Sequence, residues 1–317
     1  MRMRGWVVRA GVVAAALGLA LGTGAVANAA EREPTGPPQP NILAAGAYAL
    51  PNPRIMPPGT NDWNCKPSQA HPNPVLLSNG TIANSYDDWA GLSQRLKDAG
   101  YCVFSTNIGG SPGAFIQTVG PVAGNAGQLA EFGDKVLRAT GAKKLDIVGH
   151  SQGGMSPRYW IKNLGGADKI GKLIGLSPSN HGTTFYGLLS LVQKFPLARD
   201  LIGLPSPAIN DQETHSRFLA DLNKGGETVP GVDYTVLQTK YDDVVTPPRS
   251  AFLAPAPNVH NVWLQDVCAK DFTDHIGITY DPIAQQLVLN ALDPAHARTP
   301  DCRFVPPVIS SPGKQSG

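Results

Sequence analysis

What the chain has little of narrows it first. Charged residues are 16% of its 317, and neither sign dominates: 26 Lys and Arg face 24 Asp and Glu, a formal net charge of +2. Arg2, Arg4 and Arg9 carry +3 of that balance, so the chain beyond them stands at −1. Nothing here builds the basic stripe that a nucleic-acid partner needs, or a polybasic patch for anionic lipid. Cysteine is scarce, four residues with no C-x-x-C pair, which argues against structural zinc. Past the N-terminal segment no hydrophobic run approaches the ~20 apolar residues of a membrane span. Hydrophobic residues still make up 42%, enough to build a core, so disorder throughout is excluded. The 35 glycines and 29 prolines, about a fifth of the chain, predict sharp turns and long loops.

The N-terminus reads as an address. A basic stretch (1–9) precedes an apolar, small-residue run (10–27), and Ala27-Asn28-Ala29 offers a small-x-small cleavage site. Residues 1–29 are therefore expected to be a secretion signal and the product to be extracellular. Residues 30–60 follow as a Pro-rich lead-in, with 31–40 expected to be disordered. One α/β domain is expected over 61–302, and a tail over 303–317. Export makes Cys65, Cys102, Cys268 and Cys302 interpretable as two disulfides. Three connectivities are open. Sequential pairing closes two loops of similar length, each contributing about 3–4 kcal/mol through the unfolded state.

Short apolar runs bounded by Pro and Gly predict strands over 74–77, 101–105, 145–149, 173–176, 234–237 and 259–264. Between and after them, helices are predicted over 88–99, 126–140, 155–164 and 282–292. In the first of these Trp89, Leu92 and Leu96 share a face. Such alternation means a mostly parallel sheet with helices on both sides.

Chemistry centres on Leu145-Asp146-Ile147-Val148-Gly149-His150-Ser151-Gln152-Gly153-Gly154. This is a strand running into G-x-S-x-G with a helix behind it, a cramped turn that presents a serine hydroxyl above the sheet. A serine needs a base, and the base an orienting acid, in the chain order Ser, Asp or Glu, His. Of seven histidines, His71 precedes the sheet, His150 sits inside the turn, and His181 and His215 come before any acid-bearing strand. His260 opens a strand and His296 lies in the tail. His275, after the last strand, is left as the base. The acid candidates are Asp242 and Asp243, which follow one strand, and Asp266, which follows the next. Two backbone donors are needed for the oxyanion. Gln152 supplies one, and Thr81, in the loop Ser78-Asn79-Gly80-Thr81-Ile82, supplies the other through its N–H, with its hydroxyl available too. The long apolar stretch 179–230 holds Phe185, Leu188, Leu189, Leu191, Val192, Phe195, Leu197, Leu201, Ile202 and Leu204. It is either a set of packing helices or a cap, an acyl-binding wall over the site.

Five stretches carry a family resemblance: Asp62-Trp63-Asn64-Cys65, the turn around Ser151, Pro178-Ser179-Asn180-His181-Gly182-Thr183-Thr184, Tyr241-Asp242-Asp243-Val244-Val245-Thr246-Pro247 and Thr273-Asp274-His275-Ile276-Gly277. They resemble secreted bacterial triacylglycerol lipases of the α/β-hydrolase superfamily, a group similar in turn to Candida antarctica lipase B. The resemblance spans 61–302. It implies Ser151, Asp242 and His275 as the catalytic triad, Thr81 and Gln152 as oxyanion donors, and the sequential disulfides Cys65–Cys102 and Cys268–Cys302. One departure is visible: Asn79-Gly80 stands where such lipases usually carry His-Gly.

The expected protein is thus a secreted, monomeric serine carboxylic-ester hydrolase that needs no metal or organic cofactor. Its substrates are lipid-like esters, met at an oil–water interface. An acyltransferase or polyester hydrolase would use the same triad. A catalytically silent hydrolase fold serving as a binding module is the non-enzyme alternative, and retention of both Ser151 and His275 speaks against it.

Overall fold

The computed structural model describes residues 33–184, 186–187, 189–190 and 206–308. The expected signal, most of the expected apolar wall (Phe185, Leu188, Leu191, Val192, Phe195, Leu197, Leu201, Ile202 and Leu204) and residues 309–317 lie outside them.

Six strands, β1 (Val75–Ser78), β2 (Val103–Ser105), β3 (Leu145–His150), β4 (Ile170–Leu176), β5 (Asp233–Gln238) and β6 (Val259–Trp263), form one sheet in the order β2-β1-β3-β4-β5-β6. Every pairing is parallel. Side chains alternate across such a sheet, and here both faces are apolar. Leu76, Ile147, Leu173 and Val236 point into a cluster with Phe104, Leu129 and Trp160. Their neighbours Val75, Leu77, Val148, Ile174 and Leu237 point into another with Trp89, Leu92 and Val288. The helix Val122–Thr140 covers the first face and the helix Pro282–Leu292 the second. This is the mostly parallel sheet with helices on both sides that the alternating runs predict.

Before β2, two details differ from the sequence expectation. The helix expected over 88–99 is two helices, Ser85–Trp89 and Leu92–Asp98. Asn84 starts the first with a capping box to Asp87. The pair breaks around Gly91, where a Cβ would stand 2.7 Å from the Tyr280 ring. The lead-in is also more than a polar tether. Asn41 caps a helix over Ile42–Ala49, and Ile42, Ala45 and Ala49 are buried with Ile82, Tyr86 and Tyr280. Thr35, inside the stretch expected to be disordered, bridges to Met56.

All four cysteines are paired, Cys65 with Cys102 and Cys268 with Cys302. Among the described residues no helix is long and apolar enough to cross a membrane.

Candidate active site

Parallel strands deliver their carboxyl ends to one edge of the sheet, and loops after β1, β3, β5 and β6 meet there. Ser151 leaves β3 at φ 53° and ψ −122°, a backbone state that L-residues seldom adopt. The flanking glycines make the turn sterically possible. A Cβ at Gly149 would lie 1.9 Å from the carbonyl oxygen of Gly153, and one at Gly153 would lie 2.2 Å from that of Ser78. Ser151 N–H donates to the Leu176 carbonyl at 2.9 Å, tying the turn to β4.

Asp242 and His275 come together from separate loops. Asp242 Oδ2 is 3.0 Å from His275 Nδ1, with both side chains fully buried. The carboxylate also accepts the Gln238 amide at 3.1 Å and the backbone N–H groups of Val244 and Val245 at 2.9 and 2.7 Å. Burial alone would push the Asp242 carboxyl up. The facing His275 ring, its hydrogen bond and the two backbone donors outweigh that and hold it below the usual carboxylate range. His275 Nε2 is buried without a hydrogen-bond partner, so no hydrogen bond joins it to Ser151 in this structure. Catalytic contacts of this kind are often long before substrate arrives.

The other candidate acids and three of the other histidines have partners elsewhere. Asp243 accepts the Ser190 hydroxyl at 2.7 Å, and Asp266 pairs with Lys240 at 2.5 Å on the surface. His181 pairs with Glu227 at 2.8 Å, His296 with Asp293 at 2.8 Å, and His71 stacks on Tyr101.

The β1 loop is fastened from several directions. Asn79, which replaces the usual histidine, accepts from Trp89 Nε1 at 3.0 Å and donates to the Thr106 carbonyl at 3.1 Å. Thr81 Oγ1 accepts two amide donors, Gln152 Nε2 at 2.8 Å and Gln212 Nε2 at 2.7 Å. With both lone pairs engaged, its own proton is left to donate elsewhere. Asn125 in turn donates to Gln152 Oε1 at 2.7 Å. Gln212, Gln238 and Asn125 are absent from the sequence expectation, since an isolated amide has no spacing to announce it. Of the apolar stretch, Leu189 is partly buried and Tyr186 exposed. The helix Arg217–Asn223 packs Leu219 and Leu222 against Val122 and Met155.

The family model for lipases of class 2 matches residues 72–288, a span that contains every residue of this arrangement. The chain belongs to the class 2 lipase family. The likeness to curated proteins is shorter than this class 2 lipase span. Triacylglycerol lipases of Pseudarthrobacter phenanthrenivorans and Burkholderia plantarii are each 38% identical over 91 residues. The matched stretch is 27% of this chain and only 27% and 24% of those proteins' lengths. Among solved structures, Aspergillus fumigatus lipase B is similar with a TM-score of 0.60 at 22% identity, covering 82% of this chain and 58% of that one. A mature Bacillus licheniformis lipase is similar at 0.52 and 15%, covering 71% and 94%. Both likenesses concern the α/β-hydrolase fold.

Proposed function

We propose that this class 2 lipase is a secreted carboxylic-ester hydrolase that acts on lipid-like esters, triacylglycerols foremost, through a covalent acyl-enzyme. The observation that carries the proposal is the buried Asp242–His275 hydrogen bond at 3.0 Å, formed at the strand ends where the Ser151 turn lies. In this reading Ser151 Oγ attacks the ester carbonyl carbon while His275 Nε2, which has no competing partner, takes the hydroxyl proton. Asp242 compensates the imidazolium that results. The tetrahedral oxyanion is held by the backbone N–H groups of Gln152 and Thr81, with the Thr81 hydroxyl as a third donor. His275 returns the proton to the leaving alcohol, and water then releases the acid by the same steps reversed.

Export rests on the N-terminal address and accords with two disulfides, which persist in oxidising compartments. Over a panel of p-nitrophenyl esters and emulsified triglyceride, Ser151→Ala is expected to lose several orders of magnitude in rate while remaining folded. An organophosphonate should label the wild type once, at Ser151. Label retained by Ser151→Ala would end the assignment.

A further inference from the structure

Beside Ser151 lies a buried titratable pair that the proposed mechanism leaves unused. His150, the residue before Ser151, and Asp88, in the helix Ser85–Trp89, are 3% and 0% exposed. His150 Nδ1 is 3.1 Å from Asp88 Oδ1, and His150 Nε2 is 2.9 Å from the backbone carbonyl oxygen of His275. A carbonyl only accepts, so Nε2 carries a proton and donates it. The second oxygen of Asp88 accepts the backbone N–H of Gly80 at 2.7 Å. A continuous chain of hydrogen bonds thus runs from Gly80 through Asp88 and His150 to His275. At one end is the loop that carries Thr81, and at the other the residue that takes the serine's proton.

Simple packing does not account for the pair. Two apolar side chains of similar volume often stabilise a core as well as a buried ion pair does. Burial works against charge on His150, but the Asp88 carboxylate, its hydrogen bond and the His275 carbonyl outweigh it and raise the ring above its ordinary range. A protonated imidazole donates at both nitrogens, which is what a carboxylate on one side and a carbonyl on the other require. Space is equally specific: a Cβ on Gly80 would stand 2.9 Å from His150 Nδ1 and 3.2 Å from Ser151 Cβ.

We propose that Asp88 and His150 are positioning residues that hold the Thr81 loop and the His275 loop in one register around Ser151. The proposal rests on the Ser151–His275–Asp242 reading. Asp88 acts through the two loops, and His150 acts through them and through its ring, which packs against the side of the His275 ring with centroids 4.9 Å apart. A misplacement of ~1 Å can cost about 10²-fold in rate, and loops that are far apart in sequence need such a tie.

Steady-state kinetics on a soluble p-nitrophenyl ester, with thermal melts beside them, test this. His150→Phe keeps the ring's bulk and removes both hydrogen bonds. It is expected to lower kcat per folded molecule about 10²-fold, with KM moving by less than about threefold. Asp88→Asn is the conservative variant. Its amide oxygen can accept from Gly80, and its NH2 can donate to a neutral His150 whose Nε2–H still reaches His275, so most of kcat should return. A merely structural pair predicts lost stability in both and no fall in kcat per folded molecule. Folded His150→Phe with wild-type kcat overturns the proposal, and so does an Asp88→Asn as slow as His150→Phe. Should His150→Phe not fold, His150→Gln, which keeps a donor for His275 alone, takes its place, and wild-type kcat there overturns it equally. Ser151→Ala runs in the same panel. Activity surviving in it sinks the triad reading itself, whereas its loss beside an unchanged His150 variant sinks only the positioning role.

Discussion

Asp242 and Asp243 are neighbours in different surroundings. Asp242 faces a buried imidazole and two backbone N–H groups, while Asp243 faces a serine hydroxyl near the surface. An acid that steadies the catalytic imidazolium is worth up to about 10⁴-fold in turnover. Asp242→Asn is therefore expected to lose at least ~10³-fold in kcat, and Asp243→Asn to stay within about tenfold of wild type. Rate measurements on both variants with one soluble ester decide it, and the reverse ranking would move the acid by one position. The sequence could announce Ser151, because glycines at fixed spacing leave a pattern, and it could isolate His275 by chain order. It could not separate the two aspartates without the family resemblance, since adjacent residues share every sequence signal. Gln212 and Asp88 left no signal at all: their partners, Thr81 and Gly80, are distant in the chain or lie across a turn.

At the scale of elements, composition and periodicity found each strand to within a few residues, most plainly the central ones, which are buried and largely apolar. Helix boundaries were less legible. The break at Gly91 follows from the ring of Tyr280, which is far away along the chain. The expected helix over 155–164 is two pieces, Gln152–Met155 and Pro157–Asn163, because Pro157 has no N–H to continue the ladder. The Ile42–Ala49 helix went unseen behind its Pro-rich approach. The Ser151 turn is the least forgiving element. At Gly149 an added methyl would meet backbone, which cannot rotate aside as a side chain can. Gly149→Ala is expected to cost about 3 kcal/mol or more in stability, read by denaturant titration. A loss well under ~1 kcal/mol would mean that the turn relaxes more easily than its packing implies.

Across the whole molecule, stability should depend on pH through a group remote from the chemistry. Asp146 enters the sheet on β3, where Asn73 donates to it at 3.0 Å. Burial pushes its carboxyl up from 3.8 to about 6. The fold thus prefers the protonated form more than the unfolded chain does. Stability falls as pH rises from about 4 to about 6 and stays lower above that window, by up to ~3 kcal/mol. Asp146→Asn keeps an acceptor for Asn73 and removes the charge. Its melting temperature should exceed that of wild type at pH 8, and the gap should close near pH 4. A gap independent of pH would assign the effect to packing. The parallel sheet with helices on both faces was legible in the sequence because it depends only on the order of apolar runs. The folded lead-in was not, since its burial comes from contacts with Ile82, Tyr86 and Tyr280.

The backbone at Ser151, at φ 53°, sits where glycine would be at ease and serine is not. Holding a side chain there costs about 1–3 kcal/mol, against ~1 kcal/mol of extra unfolded freedom that a glycine would bring. Ser151→Ala keeps the Cβ and so keeps the cost; Ser151→Gly sheds it. The glycine variant should melt above the alanine variant, both being expected to be inactive, and equal melting points would show the conformation to be unstrained. If it melts higher, the route from enzyme to inert scaffold is downhill in free energy. A lineage released from the need to hydrolyse esters would then drift along it, so that the serine persists only where its chemistry is still being selected.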